Sequence, residues 1–353
     1  MSIKSVRIVG SGLIGTSIGL GLSAKGIDVF MVDVDPRAQK LAQDLVGKAP
    51  VGPTELTIFA VPTSSLKSVV PSEFSLNPNS KFIDIGSVKT KPIVEVVNGG
   101  IPKGRFCPTH PMAGREIGGA ESARADLFLG RPWIFSPAGV DADVVEAAKE
   151  LIELLGAEAF ELGAEEHDKA VALISHLPQI VASLLAKQLL DGQSKWIDLA
   201  GAGLRDTTRI AASDSGLWSE IIGLNRHEIS PLLEKLARDL NELISALGGT
   251  EPDSVAIERM ILQGNDGRRR IPGKHGGTAR NYTLLPVVIE DKPGQLGALF
   301  NECAQAKVNV EDLTMEHSPG QFTGLITLSL SKEDAQTLHK HLLKSGWNVH
   351  SPR

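Results

Sequence analysis

The run Gly10-Ser11-Gly12-Leu13-Ile14-Gly15 constrains this chain more than any other. It follows the short apolar strand Ser5-Val6-Arg7-Ile8-Val9 at once, and helix-forming sequence continues from Leu13 to Lys25. In that position the glycines allow a tight turn, close approach of a pyrophosphate, and close packing of helix on strand. The helix N-terminus adds free backbone N–H groups and partial positive charge, which suit an anion. A second strand, Val29-Phe30-Met31-Val32, ends at Asp33. That is close to the offset of about 20 residues at which an acidic side chain accepts from a ribose 2′-OH. The candidate dinucleotide contacts are therefore Gly10, Gly12, Leu13, Ile14, Gly15 and Asp33, joined by Val61 and Pro62 at the end of a third strand. Asp33 would repel a 2′-phosphate, which favours NAD over NADP; Arg37, about one turn further on, is the counterargument.

Strand and helix keep alternating through Thr57 to Pro62, Lys81 to Asp84, Trp133 to Phe135 and the amphipathic Asp143 to Leu155. This pattern predicts an α/β domain over residues 1–163, a Rossmann-like, doubly wound and mostly parallel sheet with helices on both faces. From about Gly163 the periodicity turns helical, giving an all-helical second domain over 164–263. Its apolar faces suit a homodimer. Residues 264–281, rich in glycine and base, read as a linker. After it, 282–353 spell strand, helix, strand, strand, helix, strand, a ferredoxin-like α+β unit.

A length of 353 residues accommodates these domains, and 42% hydrophobic with 22% charged residues is ordinary soluble composition. A net charge of −6 offers no field for nucleic acid or a membrane surface. Cys107 and Cys303 stand alone, without metal-ligand neighbours, which fits a reducing cytoplasm. The start Met1-Ser2-Ile3-Lys4 carries no signal-peptide pattern. The apolar stretch Ala170 to Leu190 contains His176, Pro178, Gln179 and Lys187, so it reads as a buried helix rather than a membrane span.

Chemistry concentrates at four places. In Phe106-Cys107-Pro108-Thr109-His110-Pro111, two prolines restrict the backbone around His110, a candidate general base in a loop. Asp84-Ile85-Gly86-Ser87-Val88-Lys89 follows a strand, so Ser87 and His110 can converge at the carboxyl edge of the sheet. His167 and His176 are nine residues apart, on opposite faces of an unbroken helix, and should not share a metal; Pro178 would disturb that helix. In Arg205-Asp206-Thr207-Thr208-Arg209, Asp206 either pairs with its neighbours or orients one guanidinium while another binds a carboxylate.

Taken in order, Gly12 to Ser17, Asp84 to Lys89, His110 to Gly114, His167-Asp168 with Ser175 to Pro178, and Arg205 to Arg209 resemble the prephenate and arogenate dehydrogenases of tyrosine biosynthesis. The resemblance spans about residues 5–265, and the C-terminal unit resembles an ACT domain, a module that binds small regulatory ligands. It implies oxidative decarboxylation of a cyclohexadienol, prephenate or arogenate. His110 would take the hydroxyl proton, Ser87 would hydrogen-bond near the reacting centre, and Arg209 would hold a substrate carboxylate with Asp206 as its orienter. His176 and Trp218 match pocket positions. Arg115 and Gln179 line the same region but depart from the family, where a small residue often follows Ala113-Gly114 and some prephenate-selective members carry histidine after Ser-His-Leu-Pro; substrate choice stays open. Tyrosine would be the effector, its carboxylate received near Asp291 and Gly294 with a polar contact from Asn309.

Three rivals compete with this expectation. A hydroxyacid-type dehydrogenase would use Lys169 or Lys187; a dinucleotide-binding sensor would produce no NADH; and Cys107 with His110 would make a thiol nucleophile.

Overall fold

The computed structural model describes residues 3–50, 52–114, 118–271, 282–317 and 322–353. The chain forms two compact units, Met1–Leu240 and Asn241–Arg353.

In the first unit seven strands make one sheet: β1 (Ser5–Val9), β2 (Asp28–Val32), β3 (Leu56–Phe59), β4 (Lys81–Asp84), β5 (Phe106–Pro111), β6 (Pro132–Phe135) and β7 (Glu158–Glu161). Their order is β2-β1-β3-β4-β5-β6-β7, and every neighbouring pair is parallel except β5 with β6. Because β2 and β3 flank β1, the chain order reverses beside β1, and ligands of such sheets bind at the carboxyl ends there. Gly10 follows β1 at that edge.

Five helices cover the sheet: α1 (Leu13–Ser23), α2 (Pro36–Val46), α3 (Thr63–Leu76), α4 (Thr90–Asn98) and α5 (Ala142–Leu154). Ile18, Leu22, Val46 and Leu151 of α1, α2 and α5 pack with Ile8, Met31, Ile58 and Ile83 on one face. Leu66, Val70 and Val96 of α3 and α4 pack with Val9, Phe59 and Phe82 on the other. The sheet is thus doubly wound, and β3 is buried at all four positions because both its faces are covered.

His110 lies on a strand, not in the loop expected around it: it pairs with Ile134 across the antiparallel β5–β6 ladder. Prolines normally avoid interior strands because they donate no ladder bond. Here Pro108 is the last β5 residue registered with β4, and beyond it Thr109 N–H donates to the Asp84 carboxylate at 3.1 Å instead of to backbone. β7 was not foreseen either; it is an exposed edge with glutamate at both ends, a composition that discourages further pairing.

The helical segment runs through α6 (Ala164–Val171), α7 (Leu177–Gln188), α8 (Ser194–Ile197), α9 (Ala202–Thr208), α10 (Ser215–Leu224) and α11 (Arg226–Leu247). Between α6 and α7 the residues Ala172–His176 form a π turn, in which Leu177 N–H donates to Ala172 O. The π turn absorbs Pro178, which cannot donate, and rotates the residues after it. His167 and His176, expected on opposite faces, are consequently both buried toward one cluster, each feeling the charge of the same Asp168. The run Ala164–Asp191 is long and apolar enough to cross a membrane by length and composition alone. The buried helix expected over Ala170 to Leu190 is buried only in part, since Leu173, Ile174, Leu184, Leu185 and Leu190 are exposed in the single chain.

The second unit begins within α11. Helix α12 (Ser254–Arg269) is capped by Asp253, whose carboxylate accepts Ala256 N–H at 3.0 Å, and continues through Gly264 and Gly267 where a linker was expected. Arg268 and Arg269 in its last turn favour the helix dipole, which offsets part of the glycine cost of about 1 kcal/mol each. The rest of that expected linker, 272–281, lies outside the described residues. There follow β8 (Thr283–Glu290), α13 (Gln295–Gln305), β9 (Asp312–His317), β10 (Thr323–Leu330), α14 (Lys332–Lys344) and β11 (Asn348–Val349), an antiparallel sheet ordered β11-β8-β10-β9. Leu285, Val287, Leu299, Ile326, Leu328, Leu338 and Leu342 form its core. Val308-Asn309-Val310, expected to open a strand, instead precedes β9, just after Lys307 adopts a φ of 56°.

Candidate active site

At the nucleotide end, two of the three glycines leave no room for a side chain. A Cβ on Gly10, whose φ is +113°, would stand 2.2 Å from Ala60 O, and one on Gly15 would stand 2.1 Å from Gly10 O. A Cβ on Gly12 would meet nothing within 4 Å, so this side of the loop is open to a ligand. Leu13 and Ile14 begin α1, which has neither a side-chain cap nor an acidic residue in its first turn. Ser11 Oγ is buried without a hydrogen-bond partner among the described residues, while Ser11 N–H donates to Asp33 Oδ2 at 2.6 Å. Asp33 Oδ1 accepts from Asp35 N–H at 2.9 Å. Val61 lies against Gly10, and Pro62 leads into α3. An uncapped helix start, an orphaned buried hydroxyl and an open glycine face fit the phosphates of a dinucleotide, with Asp33 beyond β2 for a ribose.

The catalytic end is built on β4, β5 and α6. Lys89 is fully buried, and its ammonium donates to Asp84 Oδ2 at 2.6 Å and to Thr109 O at 2.5 Å. Asp84 also accepts from Gly86 N–H at 3.0 Å, so one carboxylate ties the Ser87 turn to β5. Burial pushes Asp84 up and Lys89 down, and their mutual attraction opposes both shifts. Ser87 is half-buried on this turn.

His110 Nδ1 lies 2.9 Å from His167 Nε2, with the two rings edge to face. His167 Nδ1 lies 2.8 Å from Asp168 Oδ1. The same carboxylate accepts Lys89 N–H at 2.7 Å, Thr90 N–H at 3.0 Å and the Thr90 hydroxyl, closing the N-terminus of α4 from a distant helix. Burial pushes Asp168 up, but these bonds outweigh it and hold the acid below its ordinary range. Burial holds His110 well below 6.5, helped by the nearby His167, Lys89 and His176. His167 is also lowered, chiefly by burial. The working state of His110 is therefore the neutral ring that a proton acceptor requires.

On the helical side, Asn225 Nδ2 donates to Asp168 O at 2.8 Å and lies 3.1 Å from His176 Nδ1. His176 is pushed down to about 4 by burial, and its ring meets Trp218 edge to face with centroids 6.0 Å apart. Gln179 is buried and held by Ser213 Oγ, which donates to its Oε1 at 3.4 Å. Arg209 is exposed, opening a 3-10 turn after α9, and Asp206 is exposed on α9 itself. Arg115 lies outside the described residues. Asp291, Gly294 and Asn309 belong to the second unit.

Cys107 is fully buried, and burial pushes its thiol up to about 12, which disfavours the thiolate that the rival nucleophile reading needs and fits an inert buried thiol. Four residues received no catalytic role from the sequence: Asp84, Lys89, His167 and Asp168. A lysine five residues after a strand-ending aspartate was a readable signal, whereas the reach of Asp168 to α4 was not local.

Fold and cluster together describe a dinucleotide-dependent oxidoreductase. Residues 18–161 match the family model for the nucleotide-binding domain of prephenate dehydrogenase, and 163–258 match that for its dimerization domain. The chain is 32% identical to a probable prephenate dehydrogenase of Streptomyces niveus, over 99% of this chain and 100% of that one. The Aquifex aeolicus prephenate dehydrogenase, solved with hydroxyphenyl propionate and NAD+, superposes with a TM-score of 0.66 at 24% identity, covering 76% of this chain and 97% of that one. Synechocystis arogenate dehydrogenase does so with a TM-score of 0.61 at 25% identity, covering 75% and 98%. The chain belongs to the prephenate dehydrogenase family.

Proposed function

We propose that this protein oxidises prephenate with NAD, releasing the ring carboxylate as CO2 and forming 4-hydroxyphenylpyruvate. The observation that carries this is the place of His110, bonded to His167 at the carboxyl edge of the sheet that also bears the nucleotide loop, where burial disfavours its charged form. A bound nicotinamide, held at the Gly10 to Gly15 loop and the start of α1, would supply the hydride acceptor for the ring carbon that carries the hydroxyl. His110 takes the hydroxyl proton as that hydride leaves, and returns it to the ring oxygen once loss of CO2 makes the ring a phenolate, so no net proton is released. Ser87 hydrogen-bonds beside the reacting hydroxyl, and the Arg209 fork holds a substrate carboxylate, with Asp206 near it in sequence. Trp218, His176 and Gln179 wall the pocket, and Arg115, which stands after Ala113-Gly114 where the family often has a small residue, is assigned to it by its position in the motif alone. Asp33 favours NAD over NADP, because a 2′-phosphate would meet its carboxylate.

Arogenate, with an ammonium where prephenate has a keto group, is the second candidate; Gln179, neutral and able to donate and accept, is compatible with either. The exposed apolar side of 164–191 and α11 supports a homodimer, in keeping with the dimerization-domain match. The C-terminal unit is read as an ACT-like module for tyrosine. Gly294, at φ +89°, opens α13 without a side-chain cap, beside Asp291; the Asn309 amide already donates to Glu311 at 3.0 Å and would have to exchange that partner. Initial rates with prephenate and arogenate, each with NAD and NADP, test the assignment. We expect the highest kcat/KM for prephenate with NAD; a preference for arogenate would move the protein to the second candidate, and absence of NADH formation with both substrates would end the proposal.

A further inference from the structure

We infer that His167 and Asp168 are positioning residues for the reaction, a buried imidazole–carboxylate pair that fixes His110 as its Nδ1–H tautomer and so presents Nε2 as the proton acceptor. The inference rests on the reading of His110 as that acceptor. It follows from donor and acceptor inventory. Asp168 receives Lys89 N–H, Thr90 N–H and the Thr90 hydroxyl, donors that match an ionised carboxylate, which only accepts, and these bonds with that to His167 hold the acid below its ordinary range. His167 Nδ1, 2.8 Å from Asp168 Oδ1, must therefore carry a proton. A neutral imidazole has one donor and one acceptor, so His167 Nε2 is an acceptor. His110 Nδ1, 2.9 Å away, must then be the donor, and its own Nε2 keeps the lone pair.

Rotation of the pair is blocked on each side. His167 is fully buried and Asp168 nearly so, with Asp168 anchored on the N-terminus of α4 by backbone bonds that no rotamer change could keep. Second-ring orientation of this kind sets which histidine nitrogen reacts.

During turnover the substrate hydroxyl proton bonds to His110 Nε2, giving an imidazolium. Its Nδ1–H bond to His167 becomes charge-assisted, and the His167 Nδ1–H bond to Asp168 carries the balancing negative charge. The proton then leaves Nε2 for the ring oxygen, restoring the neutral chain of bonds. Lys89, Asp84, Asp168 and His176 are the other charged or titratable groups facing these rings, and of these Lys89 and His176 oppose a positive charge on His110.

Two measurements on the full chain test this. The first is the side-chain nitrogen NMR spectrum of the histidines without substrate, with His110 assigned by its loss in His110→Ala; we expect a neutral ring protonated on Nδ1. The second compares His167→Gln with His167→Leu using prephenate and NAD. Glutamine can donate to Asp168 through its amide nitrogen and accept from His110 Nδ1 through its oxygen, whereas leucine fills the space and does neither. His167→Leu should lower kcat by about 10²- to 10⁴-fold, the range for a misplaced general base, with nucleotide Kd unchanged, and His167→Gln should recover a large part of it. A His110 protonated on Nε2 in the wild type, or a glutamine variant no better than a leucine variant, would overturn the inference. If leucine prevents folding, the tautomer in wild type and in His167→Gln decides alone. Lack of turnover with prephenate in the wild type would count against the substrate assignment while leaving the tautomer result intact.

Discussion

Glu220 accepts both the backbone N–H and the hydroxyl of Ser64, at 2.8 and 3.1 Å, across 156 residues of sequence. It closes the N-terminus of α3 as Asp168 closes that of α4, so two helices that start at the carboxyl edge of the sheet are capped from the helical segment. Carboxylates at helix N-termini are favourable through both hydrogen bonding and the helix dipole. The turns that carry Val61, Pro62 and Ser87 are thereby set by contacts the nucleotide loop does not itself supply.

The glycine loop separates a shaping role from a ligand-facing one. Gly10→Ala should destabilise the chain by about 3 kcal/mol or more, because the Cβ would fall on Ala60 O at a positive φ. Gly12→Ala should leave thermal stability near wild type, since nothing stands within 4 Å, yet weaken NAD binding by about tenfold or more as its methyl enters the approach path. Thermal unfolding and a nucleotide fluorescence titration check both; unchanged NAD affinity in Gly12→Ala would remove the phosphates from this face.

Cys107 shares a strand with His110 but not its chemistry. The folded chain should not react at Cys107 with a thiol alkylator near neutral pH, and Cys107→Ala should keep wild-type turnover at a stability cost of about 1 kcal/mol. Loss of turnover in a folded Cys107→Ala would revive the thiol.

Legibility followed locality. The Gly10 to Gly15 run, Asp33 and the C-terminal strand and helix order each rest on neighbours in sequence, and the fold class could be read from them. β5 was hidden because Pro108 and Pro111 argue against a strand, and only the Asp84 carboxylate, a non-local partner for Thr109, permits it. The His167 and His176 relationship failed because a nine-residue spacing was counted on an unbroken helix, and a π turn lies between them. Asp168 was visible as a motif member but not as a cap, since Lys89 lies 79 residues earlier. The basic stretch after Gly264 looked like linker because glycine signals outweighed a cap at Asp253 that stands eleven residues before it.

Acid should destabilise the fold through three histidines, His167 and His176 fully buried and His110 half-buried. His110, His167 and His176 are all held below 6.5, His176 at about 4, chiefly by burial. An unfolded histidine regains its ordinary affinity, so between 6.5 and about 4 these three rings bind more protons in the unfolded chain than in the folded one. Stability is then full above 6.5 and declines as pH falls through that window. Urea midpoints taken from about pH 7 down to about pH 5 should fall steadily; a midpoint that rises on acidification would contradict the burial of neutral rings.

The neutral His110 is tested most directly by the pH dependence of kcat/KM for prephenate with NAD, in the wild type and in His110→Ala. The wild type should lose activity on the acid side through a single group that must be deprotonated, with a midpoint below 6.5, because burial and the nearby His167, Lys89 and His176 disfavour the charged ring. His110→Ala should be about 10²- to 10⁴-fold slower and lack that limb, with NAD affinity retained. An acid limb at or above 6.5, or one that persists unchanged in His110→Ala, would contradict His110 as the proton acceptor.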